Sequence, residues 1–291
     1  MIDKNSIIGF VGTGVMGNSM AANLMKGGFK LLVYNRTKSK AENLIENGAV
    51  WKDNIEDLSK SADVIISIVG YPKDVEEIYL GEHGIVNSAR PGSIIIDMTT
   101  SKPSLAKKIY EKAKERGIYV LDAPVSGGDV GARDGVLSIM VGGEKEIFEK
   151  VRQIFDLMGN NVVLQGGPGA GQHTKMCNQI AIAANMMGVC EAMVYAKKAG
   201  LDPQTVLKSI SSGGAASWSL SNLAPRMIKG DFEPGFYVKH FVKDMNIALS
   251  EAKAMNLDTP ALKLSKSLYD ELLKEDKGDC GTQVLYKLID K

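Results

Sequence analysis

The sequence predicts an α/β domain with a doubly wound parallel sheet, followed by an all-α C-terminal domain. Short β-branched runs alternate with amphipathic segments over roughly the first half of the chain, and the pattern becomes helical after Gly171. Strands that alternate with helices at this spacing form a parallel sheet with helices on both faces. A length of 291 residues suits two such domains. We therefore place the α/β domain at residues 1–165 and the helical domain at residues 166–291.

The elements follow from apolar periodicity and from glycines at segment ends. Apolar runs predict strands at residues 6–11, 30–35, 62–69, 92–99, 118–125, 136–143 and 161–167. Helical spacing predicts helices at residues 17–28, 38–48 and 104–117. Residues 172–200 are apolar nearly all round and lack proline, which predicts a long buried helix. From Leu201 onward the chain is predicted to form further helices, separated by glycine- and proline-containing stretches.

The composition excludes several classes of protein. Apolar residues make up 44%, charged residues 24%, and the net charge is +1, so no charge excess predicts a nucleic-acid partner. No basic, apolar leader opens the chain and no run approaches the roughly 20 apolar residues of a membrane span. We expect a cytoplasmic protein with no membrane partner. Three cysteines without CxxC spacing and isolated histidines predict neither disulfides nor a metal site.

A glycine motif between the first strand and the first helix predicts a dinucleotide site. Gly12, Gly14 and Gly17 form GxGxxG. The first glycine permits a tight turn, the second lets the backbone approach a pyrophosphate, and the third lets helix and strand pack closely. The phosphates would meet the N–H groups of the helix start at Val15 and Met16. This context is typical of a Rossmann-type fold, and the alternative is a turn that is merely rich in glycine.

The end of the second strand favours NADP(H) over NAD(H). NAD-selective sites usually carry an acid there for the ribose 2′-OH, but Asn35 occupies that position. Arg36 follows and can bind a 2′-phosphate bidentately, while Thr37 and Lys40 add donors and charge. The alternative is a solvated basic turn, and NAD(H) remains possible.

Five ordered motifs give the chain a resemblance to the β-hydroxyacid dehydrogenases, which include 3-hydroxyisobutyrate dehydrogenase. The motifs are GFVGTGVMGNSMAANL, DMTTSKPS, DAPVSGGDVGARDGVLSIMVGG, GPGAGQHTKMCNQ and FVKDMNIAL. The resemblance runs nearly end to end. The NRT after the second strand resembles the branch of NADPH-dependent glyoxylate/succinic semialdehyde reductases and tartronate semialdehyde reductases.

The resemblance implies that Lys175 is the catalytic general acid. Lys175 and Asn178 lie three residues apart and share a helix face. A lysine on an otherwise apolar helix is desolvated, which favours release of its proton. The resemblance implies that Lys175 protonates the carbonyl oxygen of the substrate. It also implies that Asn178 hydrogen-bonds near that oxygen or positions Lys175. The alternative is a surface lysine near a helix start.

The resemblance also assigns the remaining site residues. Ser126, Gly127 and Gly128 match the family's motif for the substrate carboxylate, where the alternative is an ordinary hairpin turn. Thr100 matches the family position that contacts the nicotinamide end, and Lys243 matches a family lysine that closes over the cofactor and the substrate. Independently of the resemblance, the segment at 67–72 follows the third strand and is expected to line the cofactor through its backbone, above all at Val69. Without the resemblance, Lys243 and Asp244 would be interpreted as a solvated helix start.

These observations predict an NADPH-dependent reductase of a small carboxylated aldehyde or 2-oxo acid. One alternative is NAD-dependent oxidation of the 3-hydroxyisobutyrate type. A dinucleotide-binding sensor is the non-enzyme alternative, which the Lys175/Asn178 pair disfavours because a sensor needs no proton donor. The long apolar helix leads us to expect a homodimer or homotetramer formed through the helical domain.

Overall fold

The computed structural model describes residues 2–291 and divides into two compact units. The first unit ends at Lys175 and the second spans Met176–Lys291. The first unit is built on a nine-stranded sheet with the order β3-β2-β1-β4-β5-β6-β8-β7, and β9 pairs with β8. Its strands are β1 (Ile7–Val11), β2 (Lys30–Tyr34), β3 (Val50–Trp51), β4 (Val64–Ser67), β5 (Ile94–Asp97), β6 (Tyr119–Asp122), β7 (Val125–Ser126), β8 (Leu137–Gly143) and β9 (Gly159–Gly166).

The sheet confirms the predicted Rossmann-type architecture, with one difference at its far edge. All pairings from β3 across to β6 are parallel, whereas β8 runs antiparallel to both β6 and β7. The predicted single strand at 118–125 is divided, since β6 ends at Asp122 and β7 begins at Val125. Pro124 lies between them and has no N–H to donate to a ladder, which explains the break.

Helices flank this sheet, including several that the apolar periodicity did not predict. Those of the first unit are α1 (Val15–Lys26), α2 (Glu42–Glu46), α3 (Ile55–Ser61), α4 (Pro72–Leu80), α5 (Ile85–Ser88), α6 (Pro103–Lys114), α7 (Gly128–Asp134) and α8 (Lys145–Phe155), with a 3₁₀ turn at Lys38–Ala41. The unpredicted helices are α3, α4, α5, α7 and α8. Most are shorter than three turns, so few apolar positions mark their period, and α3 depends on a local cap in which the Asn54 side chain accepts from Asp57 N.

The core lies on both faces of the sheet, which explains why the central strands β4 and β5 are apolar up to their last residue. In β4 and β5, Ile66 and Ile96 belong to the cluster on one face, and Ile65 and Ile95 to the cluster on the other. Alternate residues of a strand point to opposite faces, so a parallel strand that is covered by helices on both sides has apolar residues at successive positions.

The second unit is built of helices over the described residues, with one isolated antiparallel bridge between Tyr237 and Gly281. It contains the greater part of α9 (Ala170–Lys198), then α10 (Pro203–Ile210), α11 (Trp218–Asn222), α12 (Ala224–Ile228), α13 (Val238–Ala254), α14 (Pro260–Lys274) and α15 (Leu285–Ile289), with a 3₁₀ turn at Thr282–Val284. Its core includes the edge-to-face pair Phe241 and Tyr269. By length and composition α9 could cross a membrane, but the core helices of soluble proteins can be equally long and apolar. Within the most apolar stretch of α9, 44% is buried.

Candidate active site

The glycine motif forms a tight turn between β1 and α1, as its spacing predicts. Gly12 has a φ of +96°, and a Cβ placed on it would lie 2.1 Å from the backbone oxygen of Ile68. A Cβ on Gly17 would lie 1.9 Å from the backbone oxygen of Gly12. These two glycines therefore serve packing within the fold, because only a residue without a side chain fits at either place.

The start of α1 fits the pyrophosphate of a dinucleotide. No side chain caps the helix at Gly14, and its first turn contains no acid. The hydroxyl of Thr13 is buried and has no hydrogen-bond partner within residues 2–291. A Cβ on Gly14 would meet no heavy atom within 4 Å, so open space adjoins the loop. Val15 is exposed and Met16 is half-buried against the core. Free N–H groups at a helix start bind anions, and this loop offers them with room for the ligand.

The side-chain amide of Asn35 makes hydrogen bonds to two backbone groups, one in each of two turns. Its Oδ1 accepts from Thr13 N at 3.1 Å, and its Nδ2 donates to the carbonyl oxygen of Thr37 at 2.9 Å. The side chain thereby joins the glycine turn to the turn after β2. Thr37 and Lys40 are exposed in that second turn.

Arg36 is exposed and pairs with a buried acid. Its side chain is 79% exposed, and Nη1 lies 3.3 Å from Oδ1 of Asp74, whose side chain is only 8% exposed. The other carboxylate oxygen of Asp74 accepts from Tyr71 N at the start of α4. The pair leaves most of the guanidinium in solvent, where it can meet a ligand phosphate while Asp74 restricts its orientation.

A buried polar network joins the ends of β4 and β5. Ser67 Oγ donates to Asp97 Oδ1 at 3.1 Å and lies 2.8 Å from the Tyr79 hydroxyl. Thr99 N donates to the same carboxylate oxygen at 3.0 Å, and Thr99 Oγ1 accepts from Val69 N at 3.0 Å. The two loop ends that carry Val69 and Thr100 are thus held by one set of hydrogen bonds.

This network predicts a pH-dependent stability. Burial raises the pKa of Asp97 from 3.8 to about 6, against the opposing hydrogen bonds from Thr99 and Ser67. Between pH 4 and 6 the unfolded chain loses this proton while the folded chain keeps it. The Asp97 contribution to the free energy of unfolding therefore falls as pH rises, by about 3 kcal/mol in all, and is level above pH 6.

We expect Asp97→Asn to remove this fall. Both hydrogen bonds reach Oδ1, which an amide retains. The free energy of unfolding of both proteins is measured in urea from pH 4 to pH 8. The value for the variant minus that for wild type should increase as pH rises to about 6 and then stay constant. A difference in the free energy of unfolding that is the same at every pH would contradict a raised pKa of Asp97 in the folded state.

Hydrogen bonds of the Asp122 carboxylate and of the Gln172 side-chain amide hold the first turn of α9 against the sheet and the segment after β5. Asp122, at the end of β6, accepts from Gly169 N at 2.7 Å and from Gln172 N at 2.8 Å. Burial raises the pKa of Asp122, opposed by these backbone hydrogen bonds. The Gln172 side chain accepts from Ser101 N at 2.9 Å and donates to Thr99 O at 2.7 Å. Lys175 follows one turn later and is only 6% exposed, so it is not a surface lysine.

The Ser126–Gly128 segment joins a strand to a helix. Ser126 ends β7 and is half-buried, and α7 begins at Gly128. Gly127 has a φ of +135° and Gly128 a φ of +66°, which favours glycine at both positions. The segment is therefore not a hairpin turn: β7 pairs with β8 only after α7 has intervened.

In the second unit, a chain of contacts connects two of the predicted site residues. Asn178 Nδ2 donates to Gln179 Oε1 at 2.7 Å, and Gln179 Nε2 donates to Asp244 Oδ2 at 2.6 Å. Lys243 Nζ lies 3.0 Å from the other oxygen of Asp244. Asp244 is 1% exposed and lies two turns into α13, so the interpretation as a solvated helix start is wrong.

Two family models together cover almost the whole chain. Residues 7–167 match the NAD-binding domain of 6-phosphogluconate dehydrogenase. Residues 169–289 match a domain described as the NAD-binding domain of NADP-dependent 3-hydroxyisobutyrate dehydrogenase. The chain belongs to the β-hydroxyacid dehydrogenase family. The predicted family is thereby confirmed.

Relatives of this β-hydroxyacid dehydrogenase match it along most of its length. An uncharacterized oxidoreductase of Bacillus subtilis, YkwC, is 63% identical and covers 97% of this chain and 98% of its own. The 2-hydroxy-3-oxopropionate reductase of Escherichia coli is 40% identical, over 90% of each chain. The solved 3-hydroxyisobutyrate dehydrogenase of Mycobacterium tuberculosis, with L-serine, superposes with a TM-score of 0.91 at 26% identity, over 99% of this chain and 100% of that one.

Membership of this family makes the protein an NAD(P)-dependent oxidoreductase that acts on a CH–OH group. Within residues 2–291, no group of three or more His, Cys, Asp and Glu side chains could hold a metal ion.

Several polar residues of the site were not predicted. They are Asp74, Asp97, Asp122, Gln172, Gln179 and Asp244. One signal could have found two of them, because Gln172, Lys175 and Gln179 follow the i, i+3, i+7 spacing of a single helix face. Polar side chains on one stripe of an apolar helix predict buried hydrogen bonding. No comparable pattern marks the aspartates, and each of them also has a partner that is distant in sequence.

Proposed function

We propose that this β-hydroxyacid dehydrogenase is an NADPH-dependent reductase of a small carboxylated aldehyde or 2-oxo acid, of the glyoxylate, succinic semialdehyde or tartronate semialdehyde class. The observation that carries the proposal is the buried Lys175, one helical turn after a glutamine that is bonded on both sides of Thr100. Burial disfavours the charged lysine and so favours its use as an acid. The name of the Escherichia coli relative, 2-hydroxy-3-oxopropionate reductase, supports this substrate class.

The cofactor would be held mainly by the first unit. The glycine turn around Gly14 would bind the pyrophosphate, and Arg36 would bind the 2′-phosphate with Thr37 and Lys40 beside it. The residues proposed for the nicotinamide end are Val69, Thr100 and Lys243. When bound, NADPH supplies the hydride that is added to the carbonyl carbon.

Lys175 would supply the proton. As the carbonyl carbon gains the hydride, the carbonyl oxygen takes a proton from the Lys175 ammonium and becomes the hydroxyl of the product. The amine left on Lys175 regains a proton from water. Asn178 would donate a hydrogen bond near the reacting oxygen. The carboxylate of the substrate would be anchored by the Ser126 hydroxyl and by the backbone N–H groups of Gly127 and Gly128.

The experiment that tests the proposal is NADPH consumption with glyoxylate, succinic semialdehyde, tartronate semialdehyde and methylmalonate semialdehyde, each repeated with NADH. We expect turnover of at least one substrate, with NADPH preferred. Oxidation of 3-hydroxyisobutyrate with NAD⁺, without reduction of these substrates, would instead support the second candidate. That candidate is favoured by the likeness to the solved 3-hydroxyisobutyrate dehydrogenase. NADPH binding without any turnover would favour a sensor.

Arg36→Gln should weaken the preference for NADPH. Loss of charged hydrogen bonds to a 2′-phosphate, worth about 1.5–3 kcal/mol, raises the KM for NADPH about 10- to 100-fold. The KM for NADH, which lacks this phosphate, should change less than about threefold by the same reasoning. Lys38→Gln is the matched control, because it removes a positive charge from the same turn while Lys38 faces the Trp51 ring. If Arg36→Gln raised the KM for NADPH and the KM for NADH by the same factor, Arg36 would not contact the 2′-phosphate.

A further inference from the structure

Gln172 uses both ends of its side-chain amide on one short segment. The residue is fully buried in the first turn of α9. Its oxygen accepts from Ser101 N and its nitrogen donates to Thr99 O, so the amide spans the backbone on either side of Thr100. One backbone N–H and one backbone carbonyl group of this segment therefore bind the same side chain, because the amide of Gln172 can both donate and accept.

The same segment is connected to the loop after β4. Thr99 receives a hydrogen bond from Val69 N on its hydroxyl and donates its own N–H to Asp97. A displacement of Thr99 would therefore move the backbone at Val69 as well. Gln172 links these two loop ends to α9.

The backbone of Gln172 is itself fixed. Its N–H donates to Asp122 Oδ2, and Gly169 N donates to the other oxygen of the same carboxylate. A Cβ on Gly171 would lie 2.3 Å from the carbonyl oxygen of Met140, so the helix start is in close contact with the sheet. Lys175 lies three residues further along the same helix and is buried. The rigid turn between them holds the lysine at a constant offset from Gln172.

We propose that Gln172 is a positioning residue, which holds the Thr99–Ser101 segment in register with the helical turn that carries Lys175. The inference rests on the proposed function, in which Lys175 donates the proton and Thr100 lies at the nicotinamide end. Misplacing reacting groups by about 1 Å can lower a rate about 100-fold even when binding is preserved. Gln172 therefore acts on kcat and leaves the affinity for NADPH largely intact.

A glutamate at this position provides a specific test. An ionised carboxylate accepts from Ser101 N but cannot donate to Thr99 O, whereas a protonated carboxyl group does both and has nearly the same shape as the amide. Burial next to Asp122 raises the pKa of such a carboxyl group. Gln172→Glu should therefore recover activity as pH is lowered, and a residue that merely fills space would show no such recovery.

The experiment compares wild type, Gln172→Met and Gln172→Glu for kcat, for KM with NADPH, and for the pH profile of kcat. Gln172→Met should lower kcat about 10- to 100-fold, with KM for NADPH within about threefold of wild type. Gln172→Glu should resemble Gln172→Met at high pH and approach wild type at low pH. Gln283→Met and Gln283→Glu are matched controls, because Gln283 is equally buried and donates to two backbone carbonyl groups in the second unit.

The outcomes separate this inference from the proposed function. If wild type is active and both Gln172 variants keep its kcat, or if Gln172→Glu shows no gain at low pH relative to wild type, the inference is overturned and the proposed function stands. If wild type reduces none of the substrates with NADPH, both are overturned together. Gln172→Glu at low pH also covers the case in which Gln172→Met does not fold.

Discussion

Lys175→Met should lower kcat by a factor of about 10²–10⁴, the range lost when a general acid is removed. Methionine preserves the length and the apolar contacts of the buried side chain but has no proton to give. The affinity for NADPH, measured by the fluorescence of the bound cofactor, should stay close to that of wild type.

The control for this variant is Lys198→Met, in the last turn of the same helix, where the side chain is exposed. It changes the same chemical group on the same element and should leave kcat unaltered. If Lys175→Met keeps kcat within tenfold of wild type, another group must deliver the proton, and the mechanism proposed for this enzyme is wrong.

The glycines of the first turn should separate cofactor binding from folding. Gly17→Ala places a methyl group 1.9 Å from the Gly12 carbonyl oxygen and should cost about 3 kcal/mol of folding free energy. Gly14→Ala meets no protein atom within 4 Å and should change stability by less than about 0.5 kcal/mol. Its methyl group instead points into the space assigned to the pyrophosphate, so NADPH binding should fall at least tenfold, roughly 1.4 kcal/mol.

Thermal unfolding with and without NADPH distinguishes the two effects. Gly14→Ala should keep the Tm of the free protein and show a smaller increase in Tm when NADPH is added. Gly17→Ala should show a lowered Tm before any cofactor is added. A Gly14→Ala protein that NADPH stabilises as strongly as wild type would show that the backbone at Gly14 does not adjoin the pyrophosphate.

The sheet and the glycine turn could be predicted because their signals are local. A β-branched run such as Ile94–Asp97 and the spacing of Gly12, Gly14 and Gly17 are readable within a few residues. Short helices such as α5 and α7 carry too few apolar positions to show a period, so they were not predicted. The division of the strand at 118–125 depends on a single residue, Pro124, and an apolar run that contains one proline otherwise has the composition of one continuous strand.

The buried acids and amides of the site could not be predicted in the same way. Asp122 looks like the polar end of a strand, yet its partners at Gly169 and Gln172 are about fifty residues away in sequence. The buried position of Asp244 follows from the packing of α13, and no pattern around it distinguishes it from a solvated aspartate. Apolar periodicity reports which face of an element is buried, but the pairing of buried polar groups is decided by tertiary structure.

The double attachment of Asn35 constrains how cofactor preference could change. An aspartate there, the substitution that would favour the ribose hydroxyls of NAD, keeps the acceptor for Thr13 N but replaces the donor to Thr37 O with a second acceptor. Two oxygens would then face each other across the turn, and the cost would fall on the loop that is proposed to bind the phosphates. If NADPH is preferred as proposed, a change toward NAD is therefore less costly when it begins at the exposed Arg36 and reaches Asn35 only after the Thr37 turn has been rebuilt.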